Sequence, residues 1–370
     1  MHFGLFCLMT QRDKAKSPGT IYKETVEHVR MAERIGMEIA WFAEHHFSNY
    51  CLCPSPLTMT TYMAGQTSTI RLGPAVIVAP LYEPIRLMED IGMADQISGG
   101  RLVLGFGTGY QEYEFHKFSR DLKQARQDLF DVLDLADCYF NQEIFRFSGR
   151  HVNLPETAFS VRPVQKRPQI YVAGMAGDIE AQRRAAERGY IPFFTTGWNS
   201  SETVAKIRET LSGTFAQAGG EVAAMPFAIQ RYVFVTDSRE DALKAADGAR
   251  YVRRIAQAMR GKYGELEGAY LKEVPAADEP SLEEIAERLP IGDPNTVAER
   301  LARDIELLNP HHISCFMAIP GLTQQGILAS MERFGSEVIP LLERRYGDLS
   351  RLGTPMASNE TAPRQDVVGR

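Results

Sequence analysis

Glu44, His45 and His46 stand in succession at the end of an apolar run, Ile39-Ala40-Trp41-Phe42-Ala43. A carboxylate beside two imidazoles suits proton handling. Histidine titrates near neutral pH, and a partner on one ring nitrogen decides what the other can do. The plain alternatives are a metal-binding pair or a core histidine with a structural partner. Position favours catalysis, because side chains at the carboxyl ends of strands in parallel α/β folds face the ligand. Cys51-Leu52-Cys53 adds nearby thiols, but C-x-C is not the C-x-x-C of zinc or thioredoxin sites. No second ligand pair follows at a regular spacing, so no metal is expected.

These residues need a scaffold. The chain has 370 residues, 44 % hydrophobic and 24 % charged, enough for two domains or one large α/β barrel. A net charge of −6 speaks against a nucleic-acid or anionic-membrane surface. No apolar run approaches the roughly 18 residues of a membrane span. The opening Met1-His2-Phe3-Gly4-Leu5-Phe6 reads as a first strand rather than a secretory signal. Five cysteines, at 7, 51, 53, 138 and 315, make no disulfide framework, and a reducing cytoplasm is expected.

Short apolar runs alternate with amphipathic stretches. Strands are expected at 2–9, 38–43, 71–79, 101–107, 169–173, 190–195, 227–236 and 313–318. The helix expected at 20–36 carries Val26, Val29, Ala32 and Ile35 at helical spacing and stops at Gly36. Further helices are expected at 54–69, 84–97, 122–140, up to 188, and at 201–218, 239–259, 294–308 and 324–345. Eight strands, each followed by a helix, close a (β/α)8 TIM barrel over 1–345. Residues 142–166 read as a hairpin insertion around Ser148-Gly149-Arg150. The polar stretch 260–290 reads as a long mobile loop, a lid over the site or a linker. Residues 346–370 read as a disordered tail.

Two glycine-bearing strand ends stand out. Leu104-Gly105-Phe106-Gly107-Thr108-Gly109 imitates a dinucleotide fingerprint, but lacks the third glycine at its offset and a clear acidic ribose ligand. It reads instead as bare backbone approaching a ligand. In Val172-Ala173-Gly174-Met175-Ala176-Gly177-Asp178 a strand passes directly into a helix, whose free N–H groups suit a phosphate. The alternative is a plain turn capped by Asp178.

Taken together, these blocks resemble the luciferase-like flavin monooxygenases, the family that includes the bacterial luciferase subunits. The resemblance spans 1–345 and rests on several stretches in order. They are Ala43-Glu44-His45-His46-Phe47, Pro84-Ile85-Arg86-Leu87-Met88-Glu89-Asp90 and Asp95-Gln96-Ile97-Ser98-Gly99-Gly100-Arg101, then Ile291-Gly292-Asp293-Pro294 and Ala329-Ser330-Met331-Glu332-Arg333-Phe334. It implies a barrel that binds FMN, as FMNH2, at the carboxyl ends of its strands. The reduced flavin would react with O2 at its C4a carbon and oxygenate a small neutral organic substrate. No second domain for NAD(P)H is legible, so a separate NAD(P)H:flavin reductase is implied.

Carried over by position, His45 is the catalytic histidine, with Glu44 and His46 orienting the strand end. Ala75-Val76 matches the family's non-prolyl cis peptide against the flavin, and Gly174, Met175 and Ala176 match its phosphate cradle. Tyr110 follows the glycines. Phe6, Tyr110, Phe194 and Trp198 are expected to line an apolar substrate pocket. Thr108 departs from the pattern, because relatives often carry a phosphate-pairing arginine there. Arg101 or Arg162 is a candidate substitute, and F420 is a candidate alternative cofactor for a hydride-transfer oxidoreductase on the same barrel. A non-catalytic partner subunit is the third reading. Apolar residues on the helices at 55–69 and 84–97 (Leu57, Met59, Tyr62, Met63, Ile85, Leu87, Met88, Ile91 and Met93) point to a homodimer through that side.

Overall fold

In the computed structural model, which describes residues 1–277 and 279–353, the chain opens with β1 (His2–Cys7), α1 (Pro18–Arg34), β2 (Ile39–Phe42), α2 (Pro56–Ala64), β3 (Arg71–Pro74) and β4 (Ile77–Val78). Next come α3 (Pro84–Ser98), β5 (Leu104–Gly107), α4 (Glu112–Lys117), α5 (Ala125–Asn141), β6 (Ile144–Ser148), β7 (Asn153–Ala158), β8 (Ile170–Ala173), α6 (Ile179–Arg188) and β9 (Ile191–Thr195). They are followed by α7 (Ser201–Gln217), β10 (Ala228–Tyr232), β11 (Phe234–Val235), α8 (Arg239–Ala258), β12 (Leu266–Glu267), β13 (Tyr270–Leu271) and α9 (Leu282–Arg288). The last elements are β14 (Ile291–Gly292), α10 (Pro294–Leu308), β15 (His312–Phe316), α11 (Gln324–Arg333) and α12 (Ile339–Tyr346).

Nine parallel strands form one sheet in the order β3-β2-β1-β15-β10-β9-β8-β5-β4. The two ends of that order, β3 and β4, are halves of a single stave interrupted at the cis Ala75–Val76 peptide. A further parallel bridge joins Leu72 to Leu102. Counting β3 and β4 as one, the sheet closes into the eight staves of the expected barrel. Ser17 caps α1, and Asp293 caps α10 just ahead of Pro294, so the sequence itself marks where these helices begin.

Alternation along the staves sorts interior from exterior. Trp41 lies inside, 4.8 Å from the Tyr171 ring and 5.7 Å from Phe193, and its Nε1–H donates to His312 Nε2 at 2.9 Å. Burial holds the His312 imidazole well below its usual range, as a neutral acceptor. These side chains fill the lower barrel. Burying each contributes about 1.5–3 kcal/mol, which makes this layer the rigid base of whatever lies above it.

The sequence expectations are corrected in four places. The stave expected at 227–236 breaks after Tyr232, and β11 leaves the barrel to pair with β14. The segment 260–290 is not a featureless loop: it holds the β12–β13 hairpin and α9, whose Ser281 and Glu284 form a capping box. Strands of two residues and a seven-residue helix are too short for periodicity to register. The helix expected over 324–345 is interrupted by a π-turn at 334–338 just before Pro340, which has no N–H and whose ring crowds the preceding turn. Leu349 is buried, and its carbonyl accepts from the Met1 amino group at 2.8 Å, so the chain remains docked past 346. The rest of the expected tail, 354–370, lies outside the described residues.

Candidate active site

Phe6, Tyr232 and Phe316 form an apolar wall at the carboxyl end of the barrel, with Phe6 5.5 Å from Phe316 and Tyr232 stacked on Phe316 at 4.8 Å. Gly107 faces the same space, and a Cβ there would meet Val76 Cγ2 at 2.6 Å. Only bare backbone fits at that strand end. Phe194, expected in the pocket, does not face it. Phe193 takes the interior position on β9, and Phe194 turns outward, 5.7 Å from Phe227, beneath the helical layer. The strand phase therefore puts Thr195, which is exposed, at the mouth. Trp198 is half-buried in the turn after β9, where the Arg231 guanidinium, itself paired with buried Asp304 at 2.9 Å, holds the Asn199 carbonyl at 2.7 Å.

Beyond β2, the three residues of the Glu44-His45-His46 run part company. His45 Nδ1 lies 3.0 Å from Glu114 Oε1, an oxygen that also accepts the His46 N–H at 2.7 Å. A carboxylate accepts at Nδ1, so Nδ1 carries a proton, and Nε2 of His45 has no hydrogen-bond partner among the described residues. The rings of Tyr50 and Tyr110 stand 4.6 and 5.8 Å from His45, and the Tyr110 ring is half exposed at the mouth. Burial raises the Tyr50 phenol well above its usual range, so it stays a neutral wall.

His46 turns away. Its Nε2–H donates to Glu44 Oε1 at 3.0 Å, and its ring packs on Phe118 at 4.7 Å. Glu44 Oε2 accepts the Val78 N–H and the Tyr82 hydroxyl, both at 3.0 Å. Glu44 thus ties β2 to the segment just past Ala75–Val76. Glu114, on the short α4, went unread in the sequence. So did Asn49, whose side chain donates to Gln11 O at 2.9 Å and to Tyr251 Oη at 2.8 Å, and accepts the Leu271 N–H at 2.9 Å. Asn49 fastens the β12–β13 hairpin beside the His45 loop.

Across the mouth, the turn after β8 puts Gly174 and Met175 at φ 74° and 64°, the left-handed region. Asp178 caps α6 by accepting the Ala181 N–H at 2.9 Å, and the Arg126 guanidinium beside it holds its carboxyl below the usual range. The plain-turn feature and the anion-site feature therefore coexist. Asp178 serves the helix, while the N–H groups of Met175, Ala176 and Gly177 donate to no partner among the described residues. Among the described residues, Thr108 Oγ1 bonds only its neighbour, donating to Gly109 O at 2.9 Å.

Neither substitute cation reaches this end of the barrel. Arg101 precedes β5 and is held at the amino end by the carbonyls of Ala64, Ile70 and Ser98. Arg162 donates to Gln142 O and lies over the Tyr139 ring. An open mouth with bare backbone, N–H groups without a partner among the described residues and a hydroxyl engaged only with the adjacent carbonyl fits a phosphate-bearing planar cofactor. Among the described residues, no three His, Cys, Asp or Glu side chains are placed to hold a metal ion.

Sequence and fold comparisons show the family of the chain and the fold it shares. A family model described as luciferase-like monooxygenase matches residues 1–309. The chain is 35 % identical over 349 residues to an uncharacterised protein of Sinorhizobium fredii, covering 94 % of this chain and 99 % of that one. It is 27 % identical over 368 residues to the oxygenase component of the flavin-dependent trigonelline monooxygenase of Acinetobacter baylyi, covering 95 % and 99 %. Among solved structures, the oxygenating constituent of 3,6-diketocamphane monooxygenase from Pseudomonas putida, in complex with FMN, superposes with a TM-score of 0.71 at 20 % identity, covering 92 % and 98 %. An F420-dependent secondary alcohol dehydrogenase superposes with a TM-score of 0.70 at 14 % identity, covering 92 % and 98 %. The chain belongs to the luciferase-like monooxygenase family, and so to the flavin-dependent monooxygenases.

Proposed function

We propose that this protein is the oxygenase component of a two-component monooxygenase, receiving FMNH2 from a separate NAD(P)H:flavin reductase. It spends one O2 to oxygenate a small neutral organic substrate. The observation that carries this reading is the arrangement of His45, its Nδ1–H fixed on Glu114, at a mouth that also offers unpaired N–H groups and bare strand ends. Bound reduced flavin supplies the two electrons that activate O2.

The chain's own residues do the rest. Met175, Ala176 and Gly177 N–H groups, with Thr108 Oγ1 turned from Gly109 O, would hold the phosphate. The strand end at Gly107 and the Ala75–Val76 peptide would face the ring system. His45 accepts or returns a proton at Nε2, held in one tautomer by Glu114. Glu44 and His46 keep β2 and the segment after Val76 in register, as positioning residues. Phe6, Tyr232 and Phe316 exclude water and suit an apolar substrate, and the hairpin fastened by Asn49 shields the rim. Five free thiols suit a reducing cytoplasm.

Thr108 in place of an arginine keeps one rival open, F420-dependent hydride transfer. The test supplies photoreduced FMN under nitrogen, then isotopically labelled O2, with a panel of neutral ketones, aldehydes and heterocycles. One labelled oxygen in a product supports the reading. Oxidation of reduced F420 with a reduced substrate and no O2 uptake hands the site to the rival.

The homodimer belongs to the same proposal, in a narrower form. Leu57, Met63, Leu87, Met88 and Ile91 are buried and seal the helix–strand layer, while Tyr62, Met93 and Ile97 are 48 %, 49 % and 54 % exposed on α2 and α3. These three would centre an isologous contact. Light scattering that finds only a 41.4 kDa species defeats it.

A further inference from the structure

Beneath the aromatic wall, two polar side chains of the barrel interior carry an atom with no hydrogen-bond partner among the described residues. Gln230 on β10 pairs in register with Thr195 on β9 and with Ser314 on β15, and Ser314 pairs in register with Gly4 on β1. Partners in a parallel register share a face. Phe193 and His312, on the interior with Trp41, set the phase for both outer strands, so Thr195, Gln230 and Ser314 all point inward. Thr195 is exposed, which means that the mouth opens down to this level. Gln230 is 3 % exposed and Ser314 0 %. Yet Gln230 Nε2 and Ser314 Oγ have no hydrogen-bond partner among the described residues.

Buried amide and hydroxyl groups almost always find partners, and an unmet one destabilises a fold. Apolar side chains of similar size would serve the barrel better. At the foot of an open mouth, polar groups kept without a protein partner are placed to meet a ligand. The groups on offer are an amide donor on β10 and a hydroxyl on β15, 84 residues apart in sequence but adjacent in the barrel, beside an open threonine.

We propose that Gln230 and Ser314 form a polar floor that binds a carbonyl oxygen of the ligand held in the mouth, with Gln230 Nε2–H as the donor. The inference rests on the oxygenase reading only for the ligand's identity. A carbonyl could come from the flavin ring or from the organic substrate, and the experiment separates the two.

The test compares wild type, Gln230→Met and Ser314→Ala by thermal unfolding without ligand, by fluorescence titration with FMN, and by KM for a substrate. The melting temperature is expected to stay level or rise, because each variant removes an unmet buried group. FMN affinity weakened about tenfold or more assigns the carbonyl to the flavin, this being the usual scale for a lost hydrogen bond to a buried partner. Unchanged FMN affinity with KM raised about tenfold assigns it to the substrate. Both quantities unchanged in both variants overturn the floor, and so does a melting temperature that falls sharply in both, which would make these groups structural. A wild type that binds no FMN would sink the oxygenase reading instead. The floor would then stand or fall on the melting temperatures and on the same titration with F420.

Discussion

Glu114→Gln is the sharpest perturbation of the proposed machinery. It preserves shape and one oxygen acceptor, but removes the charge facing His45. In the native protein, one carboxylate oxygen accepts both the His46 N–H at 2.7 Å and His45 Nδ1–H at 3.0 Å. A hydrogen bond to a charged group is worth about 1.5–3 kcal/mol net, against about 0.5–1.5 kcal/mol for a neutral one. The change therefore removes about 1–1.5 kcal/mol of support from an imidazole that becomes cationic when it takes a proton. At about 1.4 kcal/mol per tenfold, kcat should fall about tenfold, and as much as a hundredfold where the new amide turns its NH2 toward His45 and forces the other tautomer. Steady-state oxygenation with saturating FMNH2 measures kcat, and fluorescence titration measures flavin affinity separately. An unchanged kcat, or a loss explained entirely by weaker flavin binding, refutes the tie between Glu114 and His45.

Three further outcomes are expected. His45→Ala retains FMN binding and loses at least about a hundredfold in turnover, the scale of a positioned acid–base group; coupled product formation at the native rate would remove His45 from the mechanism. Thr108→Arg tightens FMN binding, because a guanidinium can fork onto phosphate oxygens where the native hydroxyl reaches only Gly109 O; equilibrium fluorescence that shows weaker binding would mean that the space is already filled. Asp304→Ala leaves the fully buried Arg231 unpaired and destabilises the protein by about 3–5 kcal/mol in urea unfolding; a loss below about 1 kcal/mol would show that the remaining carbonyl acceptors suffice.

What the sequence disclosed follows its periodicity. Helices such as α1 and α10 are long, amphipathic and capped by Ser17 and Asp293, so their limits were legible to within a few residues. The Glu44-His45-His46 run was legible because it interrupts apolar sequence with chemistry. Its division of labour was not, since nothing local says that Glu44 reaches His46 and Val78 while Glu114, 69 positions beyond His45, reaches His45 Nδ1. In Ile191-Pro192-Phe193-Phe194-Thr195, two adjacent phenylalanines hide the strand phase, and a slip of one residue exchanged Thr195 for Phe194 in the pocket. Gln230 and Ser314 were invisible for a related reason: a polar residue inside an apolar strand does not reveal whether it faces a helix or a ligand.

On the proposed reading, this barrel mouth holds FMN on backbone N–H groups rather than on an arginine. A crystal structure of the protein grown with FMN tests it most directly. Phosphate oxygens are expected within hydrogen-bonding distance of the Met175, Ala176 and Gly177 N–H groups and Thr108 Oγ1, with the ring system between Ala75–Val76 and His45. Phosphate seated on Arg126 or another side-chain cation, or a mouth that excludes FMN while admitting F420, would contradict it.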